Sequence, residues 1–303
     1  MAQVKVYKFG GASVKDAEGI RNLGRIVARE TGDLAVVVSA MGKTTNALER
    51  VVNALWLREQ EQVEREWALI VDYHCSIAAE LGIDMDIRFP ETQATFDSYD
   101  ELYDQVVSWG ELMSTRLVST YLTQQGIRNE WLDMTRLLRT DATFRAAQVD
   151  YPTTEENLLA IFAYRPGADY AHRAKVRVLQ GFIGGTANGR RTTLGREGSD
   201  YTAAIVGCAL NAESVTIWKD VPGILTADPR KDKTAQLIPE LSYEDAERLA
   251  QSGAQIIHHK TIFPLERKEI PLYVKPFLDP EAAGSVIRKS DKKLTIPVNW
   301  GKY

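Results

Sequence analysis

The sequence has little cysteine and no long apolar run. Only two of its 303 residues are cysteines, Cys75 and Cys208, and they are far apart. This pattern gives neither a disulfide framework nor a zinc site, and it favours reduced thiols in a cytoplasmic protein. No apolar stretch reaches about 18 residues, so no membrane span is expected. The start, MAQVKVYKF, also lacks the apolar stretch and cleavage site of a signal peptide.

The sequence also lacks an excess of basic residues. Lys and Arg together number 37 against 41 for Asp and Glu, and the formal net charge is −4. Nucleic-acid binding usually needs a basic face, so no nucleic-acid partner is expected. Hydrophobic residues make up 44% of the chain, which is enough to bury a sizeable core. The composition therefore predicts a soluble globular protein that has neither a nucleic-acid-binding face nor a membrane span.

Short valine-rich runs alternate with helical patterns along the chain. VKVYKF (4–9) and LAVVVSA (34–40) are predicted strands, and a predicted amphipathic helix lies between them. The second run is apolar on both faces, as in a parallel strand covered by helices on both sides. The same alternation continues to SVI (285–287). It predicts an α/β protein with a mainly parallel central sheet, covered by helices on both faces, in two lobes that share the sheet.

The stretch VYKFGGASV (6–14) places a lysine and two glycines at the end of a predicted strand. Gly10 and Gly11 allow a ligand to approach the backbone, and their amides can bind an anion such as phosphate. Lys8 lies where open α/β sheets form their sites. Two glycines are a weak signal, however, and a tight turn beside a solvated lysine explains them equally well.

Glycines and polar residues also precede two predicted helices. In TTLGREGSDYTAA (192–204), Arg196 lies between glycines, and Ser199 and Asp200 stand at a helix N-terminus, which favours anions. The alternative is that Ser199 and Asp200 are ordinary helix caps. In VVVSAMGKTTNAL (36–48), Ser39 follows a buried strand at a position typical of a ligand-binding loop, and the alternative is that Thr44 or Thr45 caps the next helix.

Three other features favour structural explanations when each is considered alone. Glu111 in SWGELMSTRL is expected on the exposed face of a helix. Turn chemistry explains KDVPGILTADPR (219–230). His258 and His259 are adjacent, so on a helix they would point about 100° apart and could not share a metal. No metal site built from protein ligands is expected.

The order of these motifs resembles the catalytic domain of aspartate kinases, in the amino-acid kinase superfamily. The resemblance rests on KFGGASV, VVVSAMGKTTNAL, WGELMST, GFIGG, TTLGREGSDYTAA, DVPGILTADPR and KPFLDPEAAGSVI, and it covers nearly the whole chain. It implies phosphorylation of the L-aspartate side-chain carboxylate by ATP, the first step of lysine, threonine and methionine biosynthesis. It also implies Mg²⁺ held largely by the phosphates and suggests a homodimer. Two alternatives stay open: a relative acting on another amino acid in a dedicated pathway, and a non-catalytic amino-acid-sensing subunit.

The resemblance assigns roles to individual residues. Lys8 would be the cation that stabilises the transition state, and Asp200 would orient it or act as a base. Arg196 would bind the α-carboxylate of aspartate and Glu111 its α-ammonium. The rest of the amino-acid pocket would be Ser39, Thr45, Phe182 and Ser199. The nucleotide would contact Lys8, Gly10, Gly11, Lys219, Asp220, Leu225, Arg230 and Gln255.

The chain departs from the family pattern mainly on the nucleotide side. Lys219 replaces a small hydroxyl residue, Leu225 replaces a tyrosine, and Gln255 replaces a lysine; Glu197 stands where glycine is common. These departures affect the expected affinity for ATP rather than the phosphoryl chemistry. Residues 1–290 are expected to form the catalytic domain. Residues 291–303 are expected to be a tail, with no ACT regulatory domain in this chain.

Overall fold

A computed structural model describes residues 4–88, 96–162, 175–229, 231–251 and 257–290. Two residues of the predicted nucleotide site, Arg230 and Gln255, lie outside the described residues, as does the predicted tail. The strands are β1 Lys5–Phe9, β2 Leu34–Val38, β3 Asn129–Leu132, β4 Val176–Gln180, β5 Ile183–Gly185, β6 Arg191–Thr193, β7 Ser214–Lys219, β8 Glu240–Leu241, β9 Leu272–Pro276 and β10 Ser285–Ile287. The helices are α1 Ala17–Ala28, α2 Thr44–Leu57, α3 Gln60–Glu80, α4 Tyr99–Val107, α5 Trp109–Gln124, α6 Met134–Leu137, α7 Tyr151–Phe162, α8 Gly198–Ala209, α9 Tyr243–Gln251 and α10 His259–Glu266.

The strands form a central sheet in the order β3-β4-β2-β1-β7-β9-β10-β8. All its pairings are parallel except that of β9 with β10. A separate antiparallel hairpin pairs β5 with β6. The predicted α/β class with a mainly parallel sheet is therefore confirmed.

Side chains alternate between the two faces of the sheet, and each face has its own core. On one face, Val6 and Ile217 belong to a cluster that also contains residues of α7, α8, α9 and α10. On the other face, Tyr7 and Trp218 belong to a cluster with residues of α1 and α5. Because this alternation has a period of two, Lys8 and Lys219 are on the same face as Val6 and Ile217, toward α8.

Helices α2, α3 and α4 pack together around a third apolar cluster. This helical unit is joined to the β5–β6 hairpin by Asp104 of α4, whose carboxylate accepts hydrogen bonds from the backbone N–H and hydroxyl of Thr193 at 2.8 and 2.7 Å. The hairpin leads directly into the loop before α8. Among the described residues, no helix combines the length and apolar character needed to cross a lipid bilayer.

Candidate active site

The sequence motifs meet around a cavity of about 510 Å³ at the carboxyl ends of β1 and β2 and the N-terminus of α8. It includes both predicted catalytic residues and all six residues predicted for the amino-acid pocket. Its lining is Lys8, Gly11, Ser39, Ala40, Gly42, Thr45, Tyr103, Glu111, Arg145, Phe182, Thr193, Gly195, Arg196, Glu197, Gly198, Ser199 and Asp200. Segments that are distant in sequence thus form one site.

Asp200 lies between two lysines at the base of the cavity. Its Oδ1 is 2.6 Å from the Nζ of Lys8, and its Oδ2 is 3.2 Å from the Nζ of Lys219. Only 1% of Asp200 is exposed. Burial by itself would raise the pKa of Asp200, but attraction to the two lysines outweighs it and holds this pKa below its ordinary value. Asp200 therefore stays ionised and keeps the lysine side chains in place.

The alternative interpretation of Ser199 and Asp200 as ordinary helix caps is wrong. The residue before α8 is Glu197, in a left-handed conformation with φ 57°, and it makes no side-chain cap hydrogen bond. Asp200 contacts the lysines instead. The alternative of a cap at Thr44 or Thr45 is also wrong, because α2 begins without a side-chain cap. Thr45 lines the cavity.

Glu111 is buried, in contrast to the exposed position expected for it. It lies in the first turn of α5 with 3% of its surface exposed, and its Oε1 accepts a hydrogen bond from the backbone N–H of Ala40 at 3.1 Å. Its Oε2 is buried and has no hydrogen-bond partner among the described residues. Burial raises the pKa of Glu111 to about 8. The unpartnered Oε2 can pair with a cationic group that enters the cavity once the carboxyl group has lost its proton.

Three residues of the cavity wall have backbones in the left-handed region. They are Arg145, Phe182 and Glu197, with φ values of 66°, 68° and 57°. This region is unfavourable for residues other than glycine, and such strain is typical of functional sites. Two hydrogen bonds hold Phe182: its N–H donates to the hydroxyl of Thr202, and its carbonyl accepts from Leu194. The loop that carries Arg196 is therefore fixed against α8.

Sequence reasoning missed Arg145, Tyr103 and Thr193, which also line the cavity. The guanidinium of Arg145 lies 4.4 Å from the ring centre of Tyr103 and 3.1 Å from the carboxylate of Asp100. The backbone N–H of Arg145 donates to Asp104 at 2.9 Å. Burial raises the pKa of Asp104 to about 6. No local pattern marks these residues, because tertiary contacts of α4 bring them to the site.

The loops after β1 and β2 pack against each other. The N–H of Gly42 donates to the carbonyl of Gly11 at 3.0 Å, and a Cβ at Gly11 would lie 2.5 Å from the carbonyl oxygen of Ala40. Position 11 therefore requires a glycine, because the backbones of the two loops approach too closely to leave room for a Cβ. Gly10 differs, because a Cβ there would meet only the Nζ of Lys8, at 3.5 Å. The predicted role of both glycines toward phosphate stays a prediction.

A profile of the amino acid kinase family matches residues 3–276. The chain belongs to the amino acid kinase family. It is 35% identical over 297 residues to the lysine-sensitive aspartokinase 3 of Escherichia coli, an alignment that covers 95% of this chain and 64% of that protein. It is 33% identical to the chloroplastic aspartokinase 1 of Arabidopsis thaliana, with coverage of 94% and 52%. The chain thus spans between half and two thirds of the length of these relatives.

Solved structures of the amino acid kinase family agree with this assignment. The E. coli aspartokinase III in complex with aspartate and ADP superposes with a TM-score of 0.81 at 31% identity, covering 96% of this chain and 65% of that one. The UMP kinase of Bacillus anthracis, at 15% identity and a TM-score of 0.53, shares the fold alone.

The residues predicted on the nucleotide side of the site are less concentrated. Lys219 reaches Asp200, as described above. Asp220 follows it and is exposed, whereas Leu225 is buried, pairs with Leu237 in an isolated bridge, and does not line the cavity. The structure therefore brings together the predicted catalytic and amino-acid residues, and it leaves the predicted nucleotide residues Asp220 and Leu225 outside this cavity.

Proposed function

We propose that this chain is the catalytic domain of an aspartate kinase, which transfers the γ-phosphoryl group of ATP to the side-chain carboxylate of L-aspartate. The product is 4-phospho-L-aspartate, the first intermediate toward lysine, threonine and methionine. One observation carries the proposal: Arg196 and the unpaired oxygen of Glu111 line the same cavity as the Lys8–Asp200 pair. An α-amino acid has the complementary charges, and the relatives named above are aspartokinases.

The two ends of the amino acid are expected to be recognised by different groups. The planar guanidinium of Arg196 can form two parallel hydrogen bonds with the α-carboxylate. The α-ammonium would donate to Oε2 of Glu111. Such an arrangement disfavours substrates without a free α-amino group, including N-acetylated amino acids and nucleoside monophosphates. It leaves the side-chain carboxylate of aspartate to point toward Lys8.

Phosphoryl transfer to a carboxylate requires cations and alignment of the two substrates rather than a strong base. A side-chain carboxylate with a pKa near 3.9 is already ionised at neutral pH, so its main difficulty is repulsion from the phosphates. Lys8 would stabilise charge on the transferring phosphoryl group, with the amides of Gly10 and Gly11 beside it. Asp200 is proposed to orient Lys8.

We also propose that Mg²⁺ enters with ATP and is held largely by the phosphates. This arrangement is supported by the engagement of Asp200, the buried carboxylate beside Lys8, with two lysines. When bound, the ion would neutralise phosphate charge.

A homodimer and a cytoplasmic location complete the proposal. Residues 1–290 are proposed to form the catalytic domain, in which Arg230 and Gln255 would contact the nucleotide.

The direct test is an assay with a panel of amino acids, ATP, Mg²⁺ and hydroxylamine. Aspartate should yield its hydroxamate, because hydroxylamine traps an acyl phosphate. Product with a different amino acid but not with aspartate would favour a relative in a dedicated pathway. If no amino acid of the panel supports ATP turnover, but the protein still binds one of them, the result would favour the sensing subunit.

A further inference from the structure

Asp104 of α4 is a buried carboxylate that accepts three hydrogen bonds from segments of the cavity wall. None of its surface is exposed. Its Oδ2 accepts from the backbone N–H of Thr193 at 2.8 Å and from that of Arg145 at 2.9 Å, and its Oδ1 accepts from the hydroxyl of Thr193 at 2.7 Å. Both partners line the cavity, whereas Asp104 lies behind them. A buried carboxylate is costly unless it is hydrogen-bonded, and these bonds engage both of its oxygens.

The two segments that Asp104 contacts also contact each other. The backbone N–H of Ala147 donates to the carbonyl of Thr193 at 3.0 Å. A Cβ on Gly195 would lie 3.0 Å from the carbonyl oxygen of Arg145, so these two backbones approach closely. Arg145 has the left-handed φ of 66°, which is unfavourable for a residue other than glycine. The bond from its N–H to Asp104 helps to hold that conformation.

The loop that carries Arg196 is therefore held from two sides. Toward α8, the N–H of Leu194 donates to the carbonyl of Phe182 at 2.9 Å. Toward α4, Asp104 holds Thr193 by two hydrogen bonds. Among the described residues, the side chain of Arg196 has neither a hydrogen bond nor an ion pair, so its position follows that of the loop.

We propose that Asp104 is a positioning residue that holds the loop of Arg196 in place to bind the α-carboxylate of the substrate; this inference rests on the proposed function. Asp104 acts through the backbones of Thr193 and Arg145 and not by contact with either substrate. The α-carboxylate keeps its charge throughout phosphoryl transfer, so its contact with Arg196 stabilises the ground state and the transition state alike. A displaced loop should therefore weaken amino-acid binding more than it slows the transfer.

Asp104→Ala tests this role through the aspartate KM, because three donors lose the acceptor that they share and the loop is released. We expect the aspartate KM to rise by about tenfold or more, with kcat within about threefold and the ATP KM within about twofold of the unmodified protein. Asp104→Asn is the conservative variant. Its carbonyl oxygen can accept both backbone N–H groups, and its amide can donate to the hydroxyl of Thr193, so the aspartate KM should stay within about threefold.

Glu101 is a matched control, one turn earlier on α4. It is 3% exposed and accepts a hydrogen bond from Arg190 at 3.0 Å, so it also joins α4 to the β5–β6 hairpin, but neither residue lines the cavity. Glu101→Ala should lower the unfolding temperature and change the aspartate KM by less than about twofold. An equal rise of the KM in both alanine variants would mean a general loss of packing and would overturn the inference.

A double-mutant cycle decides whether Asp104 acts through Arg196. In the Arg196→Lys protein, Asp104→Ala should raise the aspartate KM by less than about threefold, although it has a larger effect in the unmodified protein. Two independent effects would multiply instead, and that result would contradict a positioning role toward Arg196.

Amide hydrogen exchange tests the restraint on the loop without any substrate. The N–H of Leu194 is one reporter, and the N–H of Gly198, which donates to the carbonyl of Gly195 at 3.0 Å, is the other. Asp104→Ala should speed exchange at both positions by about tenfold, whereas Glu101→Ala should leave both rates unchanged. Unchanged exchange in Asp104→Ala would overturn the inference.

If Asp104→Ala does not fold, Thr193→Val takes its place in the kinetic and exchange measurements. It removes only the hydroxyl donor, so smaller changes in the same directions are expected, and their absence would overturn the inference. The proposed function can fail separately. If the unmodified protein makes no acyl phosphate with any amino acid, the kinase assignment is wrong, and the exchange measurement still decides whether Asp104 holds the loop.

Discussion

Glu111 is a buried acid whose protonation depends on what enters the cavity. Its pKa of about 8 is above the ordinary value of 4.5, so the carboxyl group is mostly protonated at pH 7 in the ligand-free protein. It must lose this proton before it can pair with an ammonium group. We therefore expect kcat/KM for aspartate to rise about tenfold per pH unit below pH 8 and to level off above it. Initial rates of ADP release between pH 6 and 9 measure this profile.

The control for this pH dependence is Glu111→Gln. It should lower kcat/KM and remove the rise toward pH 8. Stability gives a second comparison. Because the folded-state pKa is raised, the contribution of Glu111 to stability is present below pH 4.5 and is lost as the pH rises through 8. Glu111→Gln should therefore resist unfolding better than the unmodified protein at pH 9. A bell-shaped or flat profile in the unmodified protein would contradict the assignment of Glu111.

Arg196 tests which end of the substrate the loop before α8 recognises. Arg196→Lys keeps the charge but loses the planar fork that fits a carboxylate. We expect the aspartate KM to rise by about tenfold or more and the ATP KM to stay within about twofold, as for the loss of one charged hydrogen bond. Steady-state kinetics with each substrate varied in turn measure both values. A rise in the ATP KM alone would move Arg196 to the nucleotide side.

At the scale of elements, the loops after β1 and β2 depend on each other. In Gly11→Ala the new methyl would meet the carbonyl oxygen of Ala40 at 2.5 Å, so the two loops must separate. We expect a loss of stability of about 1–3 kcal/mol, as for overpacking in a close contact, and a large loss of activity. Thermal unfolding and the hydroxamate assay measure the two effects.

Gly10→Ala is the matched control for that substitution. Its methyl would meet only the flexible end of Lys8, at 3.5 Å, so stability should change little. Its activity should fall if the phosphates lie on this backbone. Equal destabilisation by both substitutions would show that the contact with Ala40 does not distinguish the two glycines.

For the whole molecule, ligands that bind the folded state should raise the unfolding temperature by mass action. Aspartate or ADP at about 100 times its dissociation constant should each stabilise the protein by about 2.7 kcal/mol. Scanning calorimetry measures the shift. Glu111→Gln should lose the shift caused by aspartate and keep the shift caused by ADP. The absence of any shift with aspartate in the unmodified protein would contradict the proposed amino-acid pocket.

Local patterns alone predicted most of the fold. Valine-rich strands such as Leu34–Val38 were recognisable because side-chain periodicity acts over a few residues. The motifs that contain Lys8, Ser39 and Asp200 were also visible in the sequence, and the resemblance identified their family. The carboxyl ends of parallel strands meet at one edge, which is why separate motifs could be expected to share one site.

Only the tertiary structure decided which polar residues are buried and what they contact. Glu111 was expected on an exposed helix face, and a helix cap was the alternative for Asp200, since both interpretations use neighbours within four positions. Their partners Ala40, Lys8 and Lys219 are between 19 and 192 positions away along the chain. Burial, pKa and charge pairing depend on such long-range contacts, which sheet order and helix packing set, and no local pattern contains them.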